Sequence, residues 1–318
     1  MLWVTWRQHR WQLLGVAAAV ALYVAWLVRA GLKARSALAG CPMTGRVPER
    51  CYEASDAIND LFNTTNEMLF FGNLLPLLAG MFWGAPLLSR ELSQGTYRFA
   101  FTQSVSRRRW LAVKLGTLAG AAAGLGLVVG VTVSWSQRQF TSMFWNSPFG
   151  DDGSFSQSGA VPVGSWVFSL MLGTALGVLA KRGMAALGLT LVVAPLVYAG
   201  LSFARPHYVP PVERLADAST AMPDPGPKTG PRGWILSVSY VDATGRRLDS
   251  AAAGAICADP ANSYPTEDCM ERTGMRQRVL YQPPGRYPWF QAIEVGILLA
   301  ASAALAGVVW WRLRRHVD

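Results

Sequence analysis

Charge is scarce in this chain of 318 residues: Asp, Glu, Lys and Arg make up only 15% of it, while 51% is hydrophobic. Soluble domains run near ~25% charged, so the composition excludes an ordinary soluble domain and leaves an integral membrane protein. Lysine is scarcer still, 4 residues against 25 arginines, a bias that suggests a GC-rich genome and carries no mechanism. The three histidines, His9, His207 and His316, are scattered, which leaves no metal site. GxxxxGKS/T, HExxH, GxSxG and paired carboxylates are missing. The chain therefore holds no nucleotide in a P-loop of its own, and no enzyme site or cofactor of its own is expected.

What is present is a series of apolar runs. Leu69 to Leu88 carries no charge, and Leu111 to Trp135 carries only Lys114 in its first turn. Each is long enough to cross a ~30 Å hydrocarbon core, which takes ~20 helical residues. Between them lies a polar, basic island, Ser89 to Lys114, with Arg90, Arg98, Arg107, Arg108 and Arg109. Lys and Arg are retained on the cytoplasmic side in short loops, so the island is expected inside. Ser106 reads as an N-cap, which would put three arginines at a helix start, where the macrodipole disfavours cations. Helix stability did not place them there, and two readings stay open: a topology signal, or a docking surface.

The order of residues in the island favours the second. Glu91 followed by Gly95 and Thr96, then Ser106 and Arg107 with Trp110 and Lys114, resembles the cytoplasmic coupling segment of ABC-2 type permeases, the membrane subunits of bacterial ATP-binding-cassette exporters. The opening Thr5-Trp6-Arg7-Gln8-His9-Arg10 and the segment Thr102-Gln103-Ser104-Val105 resemble a branch from high-GC bacteria. The resemblance holds by motif to Lys114 and by span layout beyond it. It implies a separate cytoplasmic P-loop ATPase, with ATP and Mg bound there, that docks on Arg90, Glu91, Gly95, Thr96, Arg98, Arg107, Arg108 and Arg109. It also implies a second permease half, giving a homodimer, and a hydrophobic or amphipathic cargo such as a peptide, drug or lipid. Trp3, Trp6 and Trp11 beside Arg7, His9 and Arg10 suit an interfacial helix over residues 1 to 11. In the resembled family such a segment contacts the ATPase; a plain membrane anchor is the other reading.

Six spans are expected, at about 11–28, 69–88, 110–135, 163–180, 183–203 and 289–311, with the coupling segment at 89–110 and both termini inside. Basic residues, an apolar run and Cys41 look like a lipoprotein signal, but Arg29, Lys33 and Arg35 separate run from cysteine, so span 1 is retained. Thirteen of the 29 basic residues fall in the segments expected inside, against Glu91 and Asp318 among the 19 acids. The excess positive charge is thus cytoplasmic, which argues for a multi-pass protein of the bacterial plasma membrane and against nucleic acid as the partner of a +10 chain.

Residues 204–288 hold 12 of the 19 prolines. There Trp234 to Val241 alternates before Asp242-Ala243-Thr244-Gly245, a strand and turn, and Thr266 reads as a helix start. A small mixed α/β external domain between spans 5 and 6 is expected. The topology puts Cys41, Cys51, Cys257 and Cys269 outside, where disulfides persist. Of three possible pairings the local one is expected, Cys41 with Cys51 and Cys257 with Cys269.

Within the spans, Gly116, Gly120 and Gly124 form a doubled GxxxG, a packing face. Asn73, Pro76 and Pro86 break span 2 and require neighbours or water to satisfy freed carbonyls, which makes Phe70, Asn73 and Phe82 candidate walls of a translocation path, lipid-facing filler being the alternative. Glu294 is the one acid within a span and a fourth candidate; lying ~8 Å deep at ~1.5 Å rise per residue, it also has the option of reaching outward to water. The expected protein is an all-α polytopic exporter permease. A non-transporting membrane sensor or assembly factor, its external domain binding a partner, is the alternative.

Overall fold

The structure is a computed structural model that describes residues 2–39, 51–88, 107–140, 147, 149, 152–216, 233–257 and 265–315. The chain divides into two units, one formed by Met1–Ser142, Asp151–Phe203 and Trp289–Asp318, the other by Met143–Gly150 and Ala204–Pro288.

The first unit is helical. Helix α1 runs Leu2–Leu38, α2 Tyr52–Gly72, α3 Leu74–Ala79, α4 Arg107–Arg138, α5 Asp152–Gln157, α6 Val161–Ala180 and α7 Gly183–Ala204; the last long helix of the chain, α10, runs Tyr287–Arg315. Among the described residues, six helical stretches are long and apolar enough to cross a membrane: Arg10–Ala37, Asp56–Leu88, Arg109–Arg138, Val161–Ala180, Gly183–His207 and Pro284–Arg315.

The first two are longer than the sequence suggested. One helix covers both the expected interfacial segment and span 1, and it continues through Arg29, Lys33 and Arg35 to Leu38. These three side chains are exposed while Ala30 and Ala34 are buried, so the apolar stripe keeps its helical period through the charged stretch. Part of the expected loop before span 2 is likewise helical, since α2 begins at Tyr52 and buries Ile58, Thr65 and Leu69 along one side.

Span 2 is bent by its prolines. Pro76 offers no N–H to the Gly72 carbonyl four residues back and crowds it, and α2 ends at Gly72. Asn73 repairs the break: its backbone N–H donates to the Phe70 carbonyl at 3.2 Å, and its Nδ2 donates to the Leu69 carbonyl at 3.2 Å. Pro86 acts on the next turn. Gly80–Gly84 widens to a π-helical turn, with the Ala85 N–H reaching Gly80, a wider register that accommodates the carbonyl Pro86 cannot serve.

Two glycine pairs then let backbones touch. A Cβ on Gly80 or Gly84 would strike the Ser169 or Leu170 carbonyl, and one on Gly173 or Gly177 would strike the Gly80 or Ala85 carbonyl. Each partner thus presents a GxxxG face to the other. On α4 the same device is Gly126 and Gly130, whose Cβ atoms would meet the carbonyls of Pro162 and Gly159. The glycines singled out in the sequence, Gly116, Gly120 and Gly124, are exposed, and a Cβ on any of them would meet nothing within 4 Å. Within this chain the close-packed glycines of α4 are therefore Gly126 and Gly130, and Gly116, Gly120 and Gly124 lie on another side of the helix. Trp83, Trp166, Leu170, Leu118, Ala122 and Val129 lie in the buried core so formed. The α6–α7 turn is made by Lys181 at φ 54°, a left-handed cap on a non-glycine residue.

The second unit is a four-stranded antiparallel sheet in the order β1-β4-β2-β3, with β1 Val212–Ala216, β2 Trp234–Val241, β3 Arg247–Leu248 and β4 Arg276–Gln282. Val212 pairs with Tyr281, and Val238 with Val279. Helices α8, Ser250–Cys257, and α9, Glu267–Thr273, supply Ala253 and Met270 to a core with Tyr240, Leu248 and Met275. A Cys257–Cys269 disulfide ties the two helices, with Cα atoms 5.8 Å apart. Cys51 is also disulfide-bonded, whereas Cys41 lies outside the described residues.

Candidate substrate cavity

Between the broken span 2 and helices α6, α7 and α10 the first unit encloses a cavity of ≈ 450 Å³. Each wall follows from a local feature already described. The break at Asn73 turns Phe70, Asn73 and Pro76 toward the space; α7 supplies Pro195, Tyr198 and Ser202; α10 supplies Glu294 and Leu298.

The polar groups around it are held by the protein. Asn73 Oδ1 accepts from Gln157 Nε2 at 2.8 Å. Tyr198 donates its hydroxyl proton to the Ser165 carbonyl at 3.0 Å and lies 2.6 Å from Ser169 Oγ, which then must be the donor to it. Gln291, one turn before Glu294, bridges to the start of α6: its Oε1 accepts the N–H groups of Ala160 at 2.9 Å and Val161 at 3.1 Å, and its Nε2 donates to the Phe155 carbonyl at 3.3 Å. The first amides of a helix have no partner within it, and α6 has no side-chain cap of its own. Gln291 serves in its place.

Glu294 itself is 3% exposed. The outward-reaching alternative fails, because the carboxylate is turned into the bundle and lines the cavity. Of the four path candidates, Phe70, Asn73 and Glu294 meet at this space; Phe82 is 51% exposed and does not line it. The residues that sequence reasoning missed are Tyr198, Ser165 and Gln291. Gln291 carried a signal, an amide placed i−3 from the only acid of its span and hence on the same helix face. Tyr198 and Ser165 carried none, since their neighbours become visible only when α6 and α7 are packed.

Of the expected coupling residues, Arg90, Glu91, Gly95, Thr96 and Arg98 lie outside the described residues. Arg107, Arg108 and Arg109 open α4, with Arg109 exposed. Lys114 is buried, its Nζ 5.2 Å from the centre of the Trp110 ring.

Six long apolar helices packed as a bundle define the class as a multi-pass membrane protein. A family model described as ABC-2 membrane transporter related matches residues 14–205, and the chain belongs to that family. Membership makes it a membrane transport component, a permease subunit of the kind that works with an ABC ATPase, and not itself catalytic. Neither the curated proteins nor the solved structures offer a match to the chain.

Proposed function

We propose that this chain is the membrane-spanning permease of an ATP-driven exporter, moving hydrophobic or amphipathic cargo outward at the expense of ATP hydrolysed on a separate ATPase. The observation that carries the reading is the coincidence of family and cavity: the match over residues 14–205 spans the segment that supplies three walls of the space at Asn73, Ser165 and Tyr198. In this reading both termini are cytoplasmic and the sheet unit is external. The membrane is the bacterial plasma membrane, the side chosen by the arginines of α4 and of the end of α10. The ATPase docks on Arg90, Glu91, Gly95, Thr96, Arg98 and Arg107 to Arg109. A second copy completes the transporter and packs on the exposed Gly116, Gly120 and Gly124.

The test reconstitutes the chain in lipid nanodiscs with the P-loop ATPase that co-purifies with it and follows cargo-stimulated ATP hydrolysis. Glu91→Ala and Gly95→Pro are expected to abolish stimulation while membrane insertion and the Cys257–Cys269 disulfide persist. Wild-type stimulation by both variants would remove the coupling role. Absence of any ATPase partner would favour a sensor or assembly factor instead.

A further inference from the structure

Two buried polar atoms of complementary kind face one gap beside the break in span 2. Tyr23 Oη on α1 and Gln157 Oε1 on α5 are both shut off from solvent, and neither has a hydrogen-bond partner among the described residues. Gly72 marks where they stand: a Cβ there would strike the Tyr23 hydroxyl oxygen and lie 3.3 Å from Gln157 Oε1. The two oxygens are thus within about 6 Å of each other, and no direct bond joins them. Glycine at position 72 is what leaves room beside the hydroxyl.

The polarity of the pair is fixed by its neighbours. Asn73 Nδ2 donates to the Leu69 carbonyl at 3.2 Å, which presents Asn73 Oδ1 to Gln157. That oxygen accepts from the amide nitrogen of Gln157 at 2.8 Å, so the amide oxygen is the atom left to the gap. A hydroxyl donor therefore stands on one side and a carbonyl acceptor on the other. One water molecule with bonds of ~2.8 Å on either side spans ~4–5.5 Å, and it accepts and donates in the order that this pair requires. Gly72 adds acceptor capacity at the same turn, because Pro76 withholds the N–H that its carbonyl takes in an unbroken helix. Buried waters keep their place with about three such bonds.

We infer that an ordered water molecule binds between span 1 and the broken span 2, taking the Tyr23 hydroxyl proton and donating to Gln157 Oε1. Through Gln157 and Asn73 it ties α1 to the wall of the cavity. The site does not depend on the export reading. The test uses the full chain in nanodiscs of phosphatidylcholine. Removing a buried hydroxyl that has no partner leaves stability unchanged or raises it, whereas removing one bonded to water costs stability, so Tyr23→Phe is expected to melt a few degrees below the wild type. Tyr23→Phe combined with Gln157→Leu should cost clearly less than the two single changes added, since both break the same bridge. Millisecond X-ray footprinting reads the water itself: hydroxyl radicals formed from it should oxidise Tyr23, and a folded Gln157→Leu protein should lose at least about threefold of that rate. A Tyr23→Phe protein that melts no lower than the wild type, additive single changes, or Tyr23 oxidation unaltered by Gln157→Leu would overturn the inference. Should Gln157→Leu not fold, the Tyr23→Phe melt decides alone.

Discussion

Gly173 and Gly80 meet backbone to backbone: a Cβ on Gly173 would strike the Gly80 carbonyl oxygen. Together with Gly84 and Gly177 this contact binds α6 to the second span at the point where the span is widened by its π-helical turn. Without a hydrophobic drive between helices in lipid, such close approach is what dispersion contacts require.

Gly173→Ala is therefore expected to lower the stability of the bundle by about 1–3 kcal/mol, the cost of overpacking a filled interior. Gly120→Ala should cost nothing within the chain, because its Cβ meets open space. Thermal melts of the two proteins in detergent check this, with equal melts overturning the assignment of the packing face. Gly116→Leu with Gly120→Leu separates the two roles of glycine on α4: a loss of self-association at unchanged melting temperature is expected if the exposed stripe packs on a second copy.

Gln291 joins α10 to the first turn of α6 through three hydrogen bonds. Its replacement by Leu leaves the Ala160 and Val161 amides and the Phe155 carbonyl without that partner. A buried polar group so abandoned costs about 1–3 kcal/mol. Gln291→Leu is expected to lower the melting temperature and to speed hydrogen exchange at residues 160–163 ahead of the rest of α6. Uniform exchange along α6 would show that the cap does not hold this end.

How much of this was legible in the sequence depends on range. Runs of apolar residues, Pro76 and Pro86 as breakers, and the alternation of Trp234 to Val241 are local, and local patterns fix local structure. The charges at Arg29, Lys33 and Arg35 misled because charge ends a membrane span but does not end a helix, and Ala30 and Ala34 kept the period going. The GxxxG at Gly116 to Gly124 and those at Gly80 and Gly173 are identical as patterns; which of them packs is decided by helices distant in sequence. Glu294 was visible as a lone acid, but its direction was not, since an outer position allowed both a wet and a buried rotamer. The chain of hydrogen bonds from the Ser169 hydroxyl through the Tyr198 hydroxyl to the Ser165 carbonyl exists only between helices and left no trace in either.

The Cys257–Cys269 bond, of sequence separation 12, belongs to the core of Tyr240, Ala253 and Met270, with Cys269 buried in it and Cys257 packed against it. A disulfide on a loop of that length contributes about 2–4 kcal/mol. If the sheet unit is external, membrane-impermeant maleimide added to intact cells should label neither cysteine until reductant is supplied, then Cys257 first, because Cys269 is buried. Labelling that requires permeabilised cells would place the unit on the other side. Cys257→Ser with Cys269→Ser should destabilise the unit without preventing insertion of the helices.

The sheet unit also carries a defined acid response. Asp242 Oδ1 accepts from the Thr244 hydroxyl at 2.6 Å and from the Thr244 and Arg246 amides at 2.9 Å each, closing the β2–β3 turn in which Gly245 takes φ +86°. The Thr244 hydroxyl, then the Arg246 amide, hold the Asp242 carboxyl below its ordinary value. On the β1–β4 pair the Arg278 guanidinium grips both Glu213 oxygens at 2.7 Å and lowers that carboxyl as well. Both groups have folded values below their unfolded ones, about 3.9 for Asp and 4.3 for Glu. Their contribution to stability is thus fully present above those values, flat from pH 5 to 8, and lost as pH falls below about 4 through the depressed folded values. Hydrogen exchange of the full chain between pH 3 and 6, corrected for intrinsic rates, should show Arg246 and the β1–β4 amides losing protection on acidification. Asp242→Asn should remove the response at the turn and leave that at β1–β4, whereas Glu213→Gln should do the reverse. Loss of protection on raising the pH through the same interval would contradict the assigned direction of both shifts.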